Sequence, residues 1–343
     1  MNVLYHLPIL PPKMPEAEAI SQEIALLQTR HPGQIVYLNP HIHLPKWARI
    51  PRMLFGLHLL PSLWSLERRV DVHHFYNPDP FPFPMLRWLR KPVVYSLTGG
   101  LHTLAHRVYF SKMGAVTAQD EATVHVLKQA GLQRVTWAPP WTDASRFTHT
   151  PPPQDGTVRL MLASAPWTQA QFESKGVQAL LDATVADARL HLVMLWREVL
   201  HDEILRRVAM LKLQDRVTII NGKADVNATL AGVHAAIVLA KTPQLVKAYP
   251  HSLLDALAAG KPVLVSAAIP MAEYVQRTQC GAVVATVSAD GVRSAIDRLM
   301  TNYTTHAHNA RAVGQRDFSP GAVLNAFDEA YALANALARG ATV

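Results

Sequence analysis

Two successive series of short apolar runs, each alternating with helix-forming segments, limit what this 343-residue chain can fold into. The first series occupies residues 2–7, 34–38, 70–76, 92–97, 115–118 and 134–138. Its helices are expected over 16–30, where Ala19, Ile20, Ile24 and Leu27 recur at helical spacing, and over 121–130, closed by Gly131. After Pro151, Pro152 and Pro153 the pattern restarts, with strands expected at 158–163, 190–195, 216–220, 235–239 and 262–265 and helices at 176–186 and 198–211. Short apolar strands separated by helices make parallel sheets covered on both faces. The expected architecture is therefore α/β, two Rossmann-like doubly wound parallel-sheet domains facing a cleft, with ligands at the carboxyl ends of the strands. The domains are expected at 1–148 and 157–317, joined by a linker at 149–156, with a terminal helix over about 320–343.

Composition narrows the class further. Hydrophobic residues make up 49% of the chain and charged residues 17%, as in a packed globular protein. No apolar run approaches the roughly 18–20 residues needed to span a bilayer, and the N-terminus lacks a basic region followed by an apolar signal segment. A cytoplasmic location is expected. Cys280 is the only cysteine, which excludes an internal disulfide framework, and the 17 histidines are scattered without metal-ligand spacing. No metal is expected. The net charge of +8 is concentrated in the first half, where Lys46, Arg49, Arg52, Arg68, Arg69, Arg87, Arg90 and Lys91 interleave with Trp47, Phe55, Trp64 and Trp88. Through residues 45–69, with Trp47, Leu54, Phe55, Leu59, Leu60 and Trp64 on one face, this half could sit peripherally on an anionic membrane at its inner face. A nucleic acid strand is the second polyanion such a surface would suit.

One stretch carries chemistry. Tyr249, Pro250, His251 and Ser252 lead into a helix that holds Asp255 one turn in and ends at Gly260, before Lys261 and Pro262 open a strand. A helix N-terminus presents unpaired N–H groups and a partial positive charge, a setting that suits a diphosphate. Asp255 could accept hydrogen bonds from ribose hydroxyls, or merely complement the helix dipole.

Residues 249–264 resemble the signature of the retaining GT-B glycosyltransferases, in particular glycosyltransferase family four, where two glutamates eight positions apart precede an Ala-x-Gly-Lys/Thr-Pro-Val turn. Other pieces are similar in order and spacing: Pro139 to Asp143 with Phe147, Lys175-Gly176, Asp215-Arg216-Val217 with Gly222, and a final helix from Phe318 to Tyr331 that in the family crosses back onto the N-terminal domain. The resemblance implies a hexosyltransferase-type enzyme that takes a UDP- or GDP-sugar and transfers the sugar to an acceptor hydroxyl with retention. The acceptor would be lipid-linked or a glycan. It further implies that Lys175 and Gly176 meet the donor diphosphate, Asp255 the ribose, and the main chain at Lys223 and Ala224 the base.

The departures are as informative. Lys247 stands where the family has its first glutamate, and the cation expected before Lys175 is missing, with Arg197 as a substitute from the neighbouring loop. The family's histidine after the fourth strand is replaced by Thr98-Gly99-Gly100, with His102 shortly downstream. Lys247, Asp255 and His102 are the candidate catalytic residues. Lys247 could pair with an anionic donor group or strengthen the hold on the diphosphate. The alternatives are a catalytically silent relative that keeps the fold and binds nucleotide as a partner subunit, and a glycosyltransferase that acts on nucleic acid.

Overall fold

A computed structural model of the protein describes residues 1–12, 18–42, 44, 49–99, 101 and 104–338. The chain divides into two compact units, Met1–Pro140 with Pro320–Val343, and Trp141–Ser319. The division falls ahead of the expected 149–156 linker, whose residues belong to the second unit. His149 packs there on Gly260, and the Thr148 N–H donates to Oδ1 of Asn227 at 2.9 Å.

The first unit contains β1 (Val3–Leu7), α1 (Ala19–Gln28), β2 (Gly33–Tyr37), α2 (Leu60–Leu66), β3 (Val72–Asn77), β4 (Val93–Leu97), α3 (Arg107–Phe110), β5 (Ala115–Ala118), α4 (Glu121–Gln129) and β6 (Val135–Trp137). Its six strands pair in parallel in the order β2-β1-β3-β4-β5-β6. Every residue of β1, β3, β4 and β5 is buried, as expected of strands covered on both faces. The two histidines of β3 are tolerated because they are paired. His73 Nε2 donates to Oε1 of Glu67 at 3.0 Å, which leaves its Nδ1 to accept from His6 Nε2 at 2.9 Å. His74 lies between the Tyr331 hydroxyl at 2.7 Å and Ser96 Oγ at 2.6 Å.

Tyr331 belongs to the terminal helix Pro320–Ala338, which packs within this unit against β3, β4, β5, β6 and α1. Asp328 on the same helix binds Arg30 and His31, each at 2.6 Å. Periodicity over 320–339 identifies a helix but cannot select its docking face; these long-range polar contacts do.

The second unit contains β7 (Val158–Leu162), α5 (Gln171–Ser174), α6 (Val177–Ala186), β8 (Leu190–Trp196), α7 (His201–Met210), β9 (Val217–Asn221), α8 (Val226–Ala231), β10 (Ala235–Val238), α9 (His251–Ala258), β11 (Val263–Ser266), α10 (Met271–Thr278), β12 (Gly281–Val284), α11 (Ala289–Thr301) and α12 (Tyr303–Arg316). The parallel order is β12-β11-β10-β7-β8-β9. Connections run to one side from β7 and to the other from β10, so the topological switch point lies between these two adjacent strands. The carboxyl edge at such a point is where an open α/β sheet takes its ligand. Leu160, Leu192, Ile237 and Leu264 are fully buried beneath it. Truncating a side chain of this kind to alanine costs about 2–5 kcal/mol.

Two local differences from the sequence expectation have clear causes. The helix expected from residue 198 begins at His201, because Glu198 and Leu200 adopt left-handed φ values of 65° and 55° while the Trp196 indole N–H binds the Val199 carbonyl at 2.7 Å. The apolar face expected over 45–69 is largely spent on the core. Leu60 is buried, and Phe55, Leu59 and Trp64 pack half-buried against the first unit's hydrophobic cluster. Leu54 stays exposed, and Lys46 and Trp47 lie outside the described residues.

Candidate functional site

The loops that leave β7 and β10 are locked to each other. Ser266 Oγ bonds both the N–H and the carbonyl of Ala240 at 2.8 Å, and the Lys241 N–H then donates to the Ser174 carbonyl at 2.8 Å. Gly176 completes this lock. Its φ is +67°, and a Cβ there would fall 2.7 Å from Cβ of Leu239. Only glycine permits both the left-handed backbone and this close approach of α6 to the end of β10.

Lys175 precedes it at the carboxyl end of the short α5. Its side chain is only 6% exposed, and Nζ donates to the Ala165 carbonyl at 3.1 Å. Burial lowers its pKa from the ordinary lysine value. An ammonium has three donors; the Ala165 carbonyl engages one of them. Desolvation makes the remaining charge more responsive to an anion.

On the β10 side, Pro250 caps α9 without a side-chain hydrogen bond, so the first-turn N–H groups contributed by His251 and Ser252 have no side-chain cap. Tyr249 turns its ring inward, 5.7 Å from those of both Tyr274 and Phe318. Its side chain thus sets the entry angle of the helix. Lys247 is exposed and close enough to His251 to act on it: burial first, and the Lys247 charge second, push the His251 pKa down to about 4. His251 is therefore a neutral imidazole at neutral pH.

Asp255, one turn in, accepts a 2.7 Å hydrogen bond at Oδ1 from the Thr142 hydroxyl. Burial raises its pKa; the Thr142 bond and the Arg146 charge partly oppose that. Its Oδ2 makes no hydrogen bond among the described residues.

The remaining candidates lie farther along the carboxyl edge or outside this unit. Arg197 is exposed after β8. Lys223 and Ala224 follow the edge strand β9, past Gly222 at φ +99°. Thr98 and Gly99 belong to the first unit, after β4, where the Thr98 N–H binds the Asn77 carbonyl at 2.9 Å. His102 and Gly100 lie outside the described residues. The switch point thus assembles Lys175, Gly176, Lys247 and the start of α9, with Asp255 on the helix behind.

The surroundings of three residues of this unit were not foreseen from the sequence, although Thr142 and Lys261 lie within its motifs. Thr142 meets Asp255 from 113 positions away. Lys261 is 1% exposed, its Nζ has no hydrogen-bond partner among the described residues, and burial lowers its pKa to about 8. Trp167 is 70% exposed on the loop after β7.

The two six-stranded parallel sheets, each doubly wound, define the GT-B fold. Residues 169–316, a little under half of the chain, match the family model described as "Glycosyl transferases group 1". The match lies within the second unit and supports a glycosyltransferase. Among solved structures, the chain resembles a glycosyltransferase from Rickettsia africae ESF-5 at a TM-score of 0.74 and 16% identity, covering 97% of this chain and 98% of that one. It resembles Anabaena Alr3699/HepE, solved in complex with UDP-glucose, at a TM-score of 0.63 and 15% identity over 99% and 100% of the two chains. The lipopolysaccharide outer core galactosyltransferase WaaB matches at 0.71 and 12% identity over 96% and 99%. At these identities the likeness shows the fold. No curated protein sequence matches the chain.

Proposed function

We propose that this protein transfers a sugar from a nucleoside-diphosphate sugar to an acceptor hydroxyl, with retention at the anomeric carbon and without a metal. The supporting observation is the placement of buried Lys175 and the side-chain-uncapped start of α9 on the two loops that flank the β7–β10 switch point. These supply a cation and a helix N-terminus for a diphosphate. The relative Alr3699/HepE has been solved with UDP and with UDP-glucose, which favours a uridine nucleotide here.

In the reaction, the acceptor oxygen bonds to the anomeric carbon as the bond from that carbon to the diphosphate oxygen breaks. The hydroxyl proton passes to the departing phosphate. Lys175, Lys247 and the α9 N–H groups stabilise the charge that develops on the diphosphate, an electrostatic task that requires no protein base. Asp255 holds the ribose through Oδ2, and the main chain at Lys223 and Ala224 meets the base.

The acceptor side belongs to the first unit. Met53, Leu54 and Trp88 are exposed there at 52%, 44% and 54% on neighbouring 3-10 segments, with Arg49, Arg87, Arg90 and Lys91 also exposed. This combination suits a lipid-linked acceptor at an anionic surface. Among the described residues, no helix is long and apolar enough to cross a membrane.

A thermal-shift series with UDP, GDP, UDP-glucose and a GDP-hexose tests the donor site. A ligand at a hundred times its dissociation constant adds about 2.7 kcal/mol of stability. Absence of a shift with all four would overturn the reading. Co-sedimentation with vesicles containing anionic lipid, abolished by salt, tests the surface.

A further inference from the structure

Trp167 is the most exposed large apolar side chain among the described residues, at 70%. Single apolar residues on a surface are common and usually mean nothing. This one differs in where it stands and how it is held. Its loop leaves the carboxyl end of β7, one of the two strands that bound the switch point. The loop is pinned just before the tryptophan and at the tryptophan's own main-chain N–H. Lys175 Nζ donates to the Ala165 carbonyl at 3.1 Å, and the Trp167 N–H donates to Oε1 of Gln171 at 2.8 Å. The main chain is therefore positioned while the indole, among the described residues, makes neither a hydrogen bond nor a ring contact. Residue 167 also precedes the segment matched to the family model, which starts at 169.

We propose that Trp167 is a stacking platform for a pyranose ring. This rests on the functional reading above. An indole face is flat, apolar and electron-rich, and one face of a pyranose presents a row of polarised C–H bonds that complements it. Proximity selects the sugar over the base. The ammonium of Lys175 reaches back to this loop and binds the carbonyl of Ala165, two residues before the tryptophan, and the six-membered ring bonded directly to the diphosphate is the sugar. The base lies one ribose beyond. With its main chain held, a tryptophan has only two side-chain torsions left to fix on binding, so little conformational freedom is lost even when only one face is covered.

The pyranose is either that of the donor or that of a glycan acceptor, and one set of measurements separates them. Trp167→Ala and Trp167→Phe are prepared in the full chain, with thermal unfolding confirming the native fold, as expected for an exposed loop residue. Binding of UDP and UDP-glucose is measured by calorimetry, and the acceptor KM by transfer assay. A donor platform predicts that Trp167→Ala weakens UDP-glucose about tenfold, leaves UDP unchanged, and is largely rescued by Trp167→Phe. An acceptor platform predicts both donor constants unchanged and an acceptor KM raised about tenfold. Equal weakening of UDP and UDP-glucose would instead assign the ring to the base and overturn the proposal, as would no change in any constant. Wild-type protein that binds neither ligand brings down the functional reading first, and the platform with it.

Discussion

The Thr142 hydroxyl donates to Oδ1 of Asp255 across 113 positions of sequence, at 2.7 Å. Thr142 is itself anchored, its N–H bound to the Phe318 carbonyl at 3.0 Å. The carboxylate on α9 therefore has a structural partner within the second unit as well as an oxygen left for a ligand. Thr142→Val should leave a mostly buried carboxylate short of one hydrogen bond and cost about 1–2 kcal/mol in chemical denaturation. It should also raise the Asp255 pKa further. A raised carboxyl pKa means the folded state holds its proton to higher pH than the unfolded chain does. Stability then falls as pH rises from 3.8 through the folded pKa, and Thr142→Val should widen that window.

Lys247 and His251 form a second coupled pair, with the lysine helping to hold the imidazole pKa down to about 4. Lys247→Glu replaces repulsion of the protonated ring with attraction. The His251 pKa, followed by NMR titration, should rise by about one unit. An unchanged titration would show that burial alone sets it.

Lys261 has no hydrogen-bond partner for its buried Nζ among the described residues and a pKa lowered from 10.5 to about 8. The folded protein releases this proton before the unfolded chain does. The cost of burying the ammonium is present in full below pH 8, and stability should climb between about pH 8 and 10.5. Lys261→Met should remove that climb and stabilise the protein at neutral pH by about 1–3 kcal/mol. Unfolding measured across this pH range decides it.

Lys175→Met should separate binding from stability. Loss of a charge-assisted contact to the diphosphate is expected to weaken UDP about 10–100-fold by calorimetry. The melting temperature should hold or rise, since a largely buried charge has been removed.

Gly176→Ala should do the reverse, losing stability whether or not ligand is present. A Cβ at φ +67° is strained, and here it would also lie 2.7 Å from Leu239. A cost of about 1–3 kcal/mol is expected from denaturant unfolding.

Much of the fold was legible because strand burial writes itself into composition. Runs such as Leu160–Leu162 and Ala235–Val238 are apolar throughout, since both sheet faces are covered. Gly281–Val284 and the three helices α10, α11 and α12 around it were missed. The strand is four residues long and bears no turn signal of its own, and it becomes a strand by pairing in parallel with β11. The helix expected from 198 starts only at His201 for a local reason that periodicity does not register, the capture of the Val199 carbonyl by the Trp196 indole.

For the site, the sequence by itself determined the residue types and the local frame: a lysine before a glycine, a proline that opens α9, and an aspartate one turn in. Such features depend on neighbours in the chain, where spacing and φ preference act directly. Tertiary structure alone decided what those groups touch. It brought Thr142 to Asp255, turned the ring of Tyr249 into the Tyr274 and Phe318 cluster, buried Lys261, and left Trp167 bare at the switch point. Partners far apart in sequence share no periodicity, so only the packed sheet, by fixing which loops are adjacent, could pair them.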